Sequence, residues 1–193
     1  MVISRRRSLY QTTIPTKTVG DSSMFSPAKL TALAGIVREA QAKCLTHSVG
    51  CKAVKPVGLS VLSSGLNGKG KIQAAKWLAK ELRTTLLTKN LRTVQSRYIG
   101  ETEKNLARIF DAGAKKGSIL FFDEADALFG KRTTVKDSHD RYANQEVSYL
   151  LQRMKSYKGL IILSVNSRSS LSDVIKRQMK HKVVFPKPSR PIS

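Results

Sequence analysis

Cysteine is almost absent: of 193 residues, only Cys44 and Cys51 carry a thiol. Two thiols cannot build the disulfide framework that staples small secreted domains, so a reducing, cytoplasmic setting is the expectation. No run of 18 apolar residues occurs, which excludes a transmembrane helix. Aromatic residues make up only 6%, so platforms for stacking nucleic-acid bases are scarce. Acids are scarce too, 13 Asp and Glu against 35 Lys and Arg, a formal net charge of +22. What is present is a 40% apolar fraction rich in Leu, Ile, Val and Phe. That excludes wholesale disorder and suffices for one core and one domain. No internal repeat or low-complexity segment interrupts it.

The charge is uneven. Residues 118–166 hold seven basic and six acidic groups, whereas the segments on either side are strongly basic. A local cluster such as Asp123, Glu124 and Asp126 in so basic a chain calls for a cation or a chemical role. Residues 1–25 are polar and aperiodic and include Arg5, Arg6 and Arg7; they read as a mobile basic arm. Cys44, His47 and Cys51 offer only three ligands with no second pair, too few for structural zinc. His139 reads as a structural hydrogen-bonding residue.

Hydrophobic spacing gives alternating strands and helices. Ser26-Pro27 caps a helix whose stripe of Leu30, Leu33, Ala34 and Val37 runs to about Leu45. Short apolar runs at 57–63, 84–88, 118–122, 160–165 and 183–185 read as five strands. Helices follow from Ile72, Ala75, Leu78, Ala79 and Leu82, from residues 101–116, and from Ala143, Val147, Leu150, Leu151 and Met154. Over 101–116, Glu101 and Glu103 sit at the positive end and Lys115 and Lys116 at the negative end, with Gly117 as the stop. Such alternation predicts an α/β fold with a parallel sheet covered on both faces. The core domain is expected over 26–188, with a short tail at 189–193.

Gly65-Leu66-Asn67-Gly68-Lys69-Gly70-Lys71-Ile72 lies between a predicted strand and a predicted helix. It matches G-x-x-x-x-G-K-[ST] until the last position. Glycines let backbone N–H groups turn inward around phosphate oxygens, and the helix N-terminus adds positive character. Lys71 supplies a point charge for the β- and γ-phosphates. Ile72 stands where a hydroxyl would coordinate Mg²⁺, and it has no lone pair to offer, so phosphate cradling is the safer expectation. About fifty residues on, Ile-Leu-Phe-Phe-Asp123-Glu124 ends a buried strand in two carboxylates. The first can hold Mg²⁺ and the second can activate a water.

Together these motifs resemble the large subdomain of an AAA+ ATPase, over about 27–188. RYIGETEKNLARIFDA at 97–112, ILFFDEADALFGKR at 119–132 and DSHDRYAN at 137–144 resemble bacterial members, nearest to ATPases associated with contractile injection systems. The resemblance implies a P-loop three-layer sandwich with a five-stranded parallel sheet, and ATP with Mg²⁺ as cofactors. It implies that Gly65, Gly68, Lys69, Gly70, Lys71 and Ile72 form the nucleotide loop, Asp123 the metal-associated acid and Glu124 the general base. Asn166 resembles the residue that senses the γ-phosphate, and Arg177 falls where an arginine finger reaches a neighbouring subunit. Tyr98, Ile99 and Gly100, after Arg97, resemble the pore loop with which hexameric members grip polypeptide. A homo-oligomeric ring acting on a protein substrate is thus implied, with no membrane.

Bland alternatives stand beside these roles. Tyr98 and Ile99 fit core positions at the start of a helix, Arg177 a solvated charge, and Asn166 a turn former. Lys180 occupies the position of a second arginine, and only PKPSRPIS follows Phe185 where the family continues into a helical lid. Three functions therefore compete. One is an ATP-hydrolysing motor domain; the second is a degenerate nucleotide-binding module with little turnover. The third is a nucleic-acid binder on a basic P-loop scaffold, supported by charge alone.

Overall fold

The computed structural model describes residues 25–43, 58–96, 98–129, 138–167, 171 and 173–186, with backbone only for 138–144 and 173–174. The elements in chain order are α1 (Pro27–Ala42), β1 (Leu59–Ser64), α2 (Gly68–Glu81), β2 (Leu86–Asn90), α3 (Leu91–Val94) and α4 (Glu101–Lys116). They continue with β3 (Ile119–Asp123), α5 (Asp126–Phe129), α6 (Ser138–Ser156), β4 (Leu160–Val165), α7 (Asp173–Gln178) and β5 (His181–Val184). The five strands form one sheet in the order β2-β3-β4-β1-β5, every pairing parallel.

Near-continuous apolar runs make β3 and β4 because both faces are covered, whereas β1 reads Leu-Ser-Val-Leu-Ser-Ser and buries Ser63 and Ser64 with its apolar residues. Along β3 and β4, side chains alternate between two cores. Leu120, Phe122, Ile161, Leu163 and Val165 face a cluster with Leu106, Phe110, Leu150 and Tyr157 of the α4–α6 side. Ile119, Phe121, Leu160 and Ile162 face Leu33, Ile36, Ala75 and Leu78 of α1 and α2. Phe25, expected in the arm, is buried in this second cluster. The other arm residues, the Cys44–His47–Cys51 group and the tail lie outside the described residues, as does the side chain of His139.

Helix α4 has the expected bounds, stopped by Gly117 in the left-handed region. Strand bounds match less well: β1, expected at 57–63, runs over Leu59–Ser64, and the edge strands differ as well. β2 begins two residues later than expected, because Thr84 still belongs to the turn after α2, its N–H donating to Ala79 O at 2.9 Å. β5 begins two residues earlier, at His181, and only Val183 of it is buried. The short helices α3, α5 and α7 carry too few turns to show periodicity and were not expected from the sequence.

One carboxylate ties the outer face of α1 to the α7–β5 corner. Glu39 is met by Lys43 Nζ at 2.9 Å, by His181 Nε2 at 2.8 Å, and by Lys180 Nζ. Burial alone would raise its pKa, but hydrogen bonds from Lys180, Lys43 and His181 outweigh that and hold it at about 2, against an ordinary 4.5. A depressed carboxylate contributes stability above its unfolded pKa and loses it as the acid form fills. The stability gap between wild type and Glu39→Gln should therefore be full above pH 4.5 and shrink as pH falls toward 2. Urea titrations across that window measure it; a gap that stays constant would show the cluster is not worth its geometry.

Candidate functional site

All strands are parallel, so their C-terminal ends share one edge of the sheet, where open α/β folds bind ligands. At that edge the chain leaves β1 through Gly65, whose φ is +124°. A Cβ there would lie 1.9 Å from the Phe185 carbonyl oxygen, so the position demands glycine both for its backbone and for space. Asn67 then caps α2, its Oδ1 accepting the Gly70 N–H at 2.8 Å. Gly70 packs against that same amide: a Cβ would sit 2.8 Å from Asn67 Nδ2. Gly68 and Lys69 are exposed in the first turn.

Lys71 points inward and is 2% exposed. Its Nζ donates to Val165 O at 3.0 Å and to Asn166 Oδ1 at 3.2 Å. Burial lowers its pKa, while the charges of Asp123, Asp126 and Glu124 act in the opposite sense. A buried ammonium compensated in this way is poised for an anion, because its neighbours are one side chain, one carbonyl and carboxylates at longer range. Ile72, next in the chain, is half-buried and packs against the α1–α2 apolar cluster.

The acids come from the adjacent strand end. Asp123 Oδ1 accepts from Ser164 Oγ at 2.7 Å and from the Glu124 N–H at 2.9 Å. Glu124 has φ +50°, a left-handed backbone that non-glycine residues adopt at some cost and that is concentrated at functional sites. Arg92 Nε of α3 lies 3.0 Å from Glu124 Oε2, an ion pair without the alignment of a hydrogen bond. Asp126 Oδ2 accepts the Asn166 N–H at 2.6 Å.

The structure thus brings the Gly65–Ile72 loop, Lys71, Asp123, Glu124 and Asn166 together. It sets apart the two outlying expectations. Tyr98 and Ile99 stand 77% and 74% exposed before α4, which removes the core alternative for both. Gly100, at φ +76°, turns the chain into the helix, and Arg97 lies outside the described residues. Arg177 is exposed in the last turn of α7 and pairs with none of the clustered residues. Lys180 is engaged by Glu39, so its charge is used within the chain. Sequence reasoning gave no role to Asn67, Arg92 or Ser164. An asparagine three residues before Gly70 is a readable cap signal. Arg92 and Ser164 meet the acids only through the fold.

Two kinds of comparison bear on this arrangement. A family model described as "ATPase family associated with various cellular activities (AAA)" matches residues 61–187. An uncharacterized AAA family ATPase of Sinorhizobium fredii is 30% identical over 86% of the chain and 49% of its own length. "Uncharacterized protein ORF529" of Acidianus two-tailed virus is 31% identical over 67% of the chain and 27% of its own length. Fidgetin-like protein 1 of Drosophila melanogaster is 28% identical over 88% and 32%. The chain therefore spans less than half of each of these relatives. Among the described residues no helix is long and apolar enough to cross a membrane.

Gly65→Ala tests the loop. The added methyl meets the Phe185 carbonyl in a backbone region closed to alanine, so the variant should lose about 2 kcal/mol or more of stability. Gly68→Ala, with nothing within 4 Å of the new Cβ, should cost under about 1 kcal/mol. Thermal melts of the two variants check the contrast, and equal losses would mean that the loop does not press on β5.

Proposed function

Because the chain belongs to the AAA family of ATPases, we propose that it binds ATP at the Lys71 edge and hydrolyses it with Glu124 as base. The observation that carries this is the buried Lys71 ammonium, held beside Asn166 with Asp123, Glu124 and Asp126 around it. On phosphate arrival Lys71 exchanges Val165 O and Asn166 Oδ1 for β- and γ-phosphate oxygens. At the start of α2 the Gly68, Gly70 and Lys71 N–H groups donate to Leu66 O, Asn67 Oδ1 and Asn67 O, and phosphate oxygens would take over or share these donors. Glu124 takes the proton of the attacking water, and the Asn166 side chain contacts the γ-phosphate.

The donor set fits the phosphates of a nucleotide and, in part, Mg²⁺. Asp123 would hold the ion directly or through water, and Ile72 contributes nothing to it. When bound, Mg²⁺ neutralises phosphate charge and helps the leaving group depart. Ile72 is also the specific observation behind a second reading, a nucleotide-binding module with little turnover. Its packing into the α1–α2 cluster gives that side chain a structural use instead.

Beyond the nucleotide, we infer a homo-oligomeric ring in which Arg177 reaches a neighbouring site. Tyr98, Ile99 and Gly100 would grip a protein substrate, for which their exposure is the support. A single ATPase core over 26–188 and a setting near contractile injection systems belong to the same proposal. The latter rests only on the resemblance of 97–112, 119–132 and 137–144.

Glu124→Gln should keep ATP affinity within about threefold and lower phosphate release on the order of 100-fold, since an amide cannot take a proton. Lys71→Ala should instead weaken ATP binding by about tenfold or more, about 1.4 kcal/mol. Titration calorimetry and phosphate release distinguish them, and unchanged ATP affinity in Lys71→Ala would sink the phosphate-loop assignment.

Ile72→Thr separates the motor from the low-turnover module. A hydroxyl at this position should complete the Mg²⁺ shell and raise turnover on the order of tenfold, about 1.4 kcal/mol of barrier. Threonine is β-branched like isoleucine, so the helix should tolerate it, with a modest loss of apolar packing. Phosphate release at saturating ATP and Mg²⁺ is the measurement. Wild-type turnover already equal to the variant's would show that the hydroxyl is dispensable here.

A further inference from the structure

Asp126 enters the nucleotide chemistry described above only as one of the charges around Lys71, yet it also holds the backbone of Asn166. It opens α5, directly after the left-handed Glu124 and the buried Ala125. Its Oδ2 accepts the backbone N–H of Asn166 at 2.6 Å. That N–H is the first past the end of β4, where ladder pairing has stopped. Left to solvent, the turn would be fixed on that side by nothing else that the sheet supplies. The same residue's Oδ1 accepts from Lys71 Nζ at 3.2 Å. A second tie reinforces the β3–β4 junction: Ala125 N–H donates to Ser164 O at 2.9 Å.

We infer that Asp126 is the positioning residue for Asn166: its carboxylate clamps the backbone of the turn so that the Asn166 side chain stays within reach of the Lys71 ammonium and of the γ-phosphate bound there. It touches neither nucleotide nor water itself. What is required of it is an acceptor oxygen at the right place, rather than a titrating group or a metal ligand. A charged acceptor shortens and strengthens the bond, as the 2.6 Å distance reflects. This inference rests on the nucleotide reading for its effect on turnover, and on geometry alone for the clamp.

The test uses the full chain and four variants: Asp126→Ala, Asp126→Asn, Asn166→Ala and the double Asp126→Ala/Asn166→Ala. Asparagine at 126 keeps an acceptor oxygen but removes a charge near Lys71, so its turnover should fall yet stay at least about threefold above that of Asp126→Ala. Alanine at 126 should lower kcat about tenfold with KM for ATP changed less than about threefold, because the loss falls on the γ-phosphate contact. In the Asn166→Ala background, removing Asp126 should cost nothing more. Asp126→Asn as poor as Asp126→Ala, or losses that multiply in the double variant, would overturn the inference. Asp126→Ser, whose oxygen stops one bond short, replaces the alanine should that variant fold poorly.

A second readout does not depend on activity. Amide hydrogen exchange at Asn166 should be at least about tenfold faster in Asp126→Ala than in wild type and near wild type in Asp126→Asn. Unchanged exchange in Asp126→Ala overturns the clamp whether or not the chain hydrolyses ATP. A wild type that binds no ATP sinks the ATPase reading instead, and the exchange rates still decide the clamp.

Discussion

A lysine ammonium that is almost wholly buried has to be compensated where it stands, and the arrangement around Lys71 follows from that requirement. Removing such a charge from water costs several kcal/mol before any partner is counted. The partners come from three separate elements: the end of β4 gives Val165 O and Asn166 Oδ1, β3 gives Asp123, and α5 gives Asp126. They coincide because the strands are parallel and in fixed register, with Ser64 opposite Val165 and Phe122 opposite Leu163. A slip of one residue would turn every side chain of a strand to the other face, separating Asp123 from Ser164 and emptying both cores. Register, core and charge compensation therefore specify one another.

How much of this could be read in advance depended on where each residue sits in the sheet. β3 and β4 are buried on both faces, so their runs are almost wholly apolar, and 160–165 gives β4 to the residue, while the serines of β1 blur its bounds. Edge strands bury one face at most: β2 and β5 carry Lys89, Lys182 and Val184 outward, and their runs blur into turns. Among the site residues, the glycine loop, Lys71 and the Asp123–Glu124 pair are local in sequence and therefore legible. Arg92 and Ser164 are not, because each meets its acid across a strand pairing. Phe25 was misassigned to the arm because a lone aromatic before a helix cap shows no periodicity; only its burial against the α1–α2 cluster reveals it.

The scarcity of acid shapes the surface as strongly as it shapes the site. Glu39 serves two lysines and the His181 ring at once, Asp111 meets Arg153 at 2.5 Å, and Glu124 meets Arg92. Lys104, Arg108, Lys115 and Lys116 remain exposed along α4, where solvent and salt screen them. Exposed cations of this kind add little to stability and much to long-range attraction for anions. Nucleotide is an anion, so part of the +22 charge has a consequence at the Lys71 edge without any direct contact.

The connection between β2 and α4 brings two otherwise separate features onto one short piece of chain. It starts at Asn90, which pairs in register with Asp123 and caps α3 by accepting the Arg92 N–H at 2.9 Å. Arg92 then reaches Glu124, and the chain runs on to the exposed Tyr98 and Ile99. Its far end is pinned as well: Ser96 N–H donates to Thr102 Oγ1 at 2.9 Å, and Asn105 Nδ2 donates to Val94 O at 3.3 Å. Proximity of this kind is not coupling, which needs an element with two states that both ends bias. Arg92 has the properties such an element requires. It is 75% exposed on its side chain and held by one unaligned ion pair, so its alternatives in water lie close in energy. Glu124 has its charge partner on the segment that carries Tyr98 and Ile99, while Asp123 and Asn166 are tied to the sheet. Glu124 is thus joined to that segment through an exposed side-chain ion pair, whereas Asp123 meets it through the backbone register of Asn90.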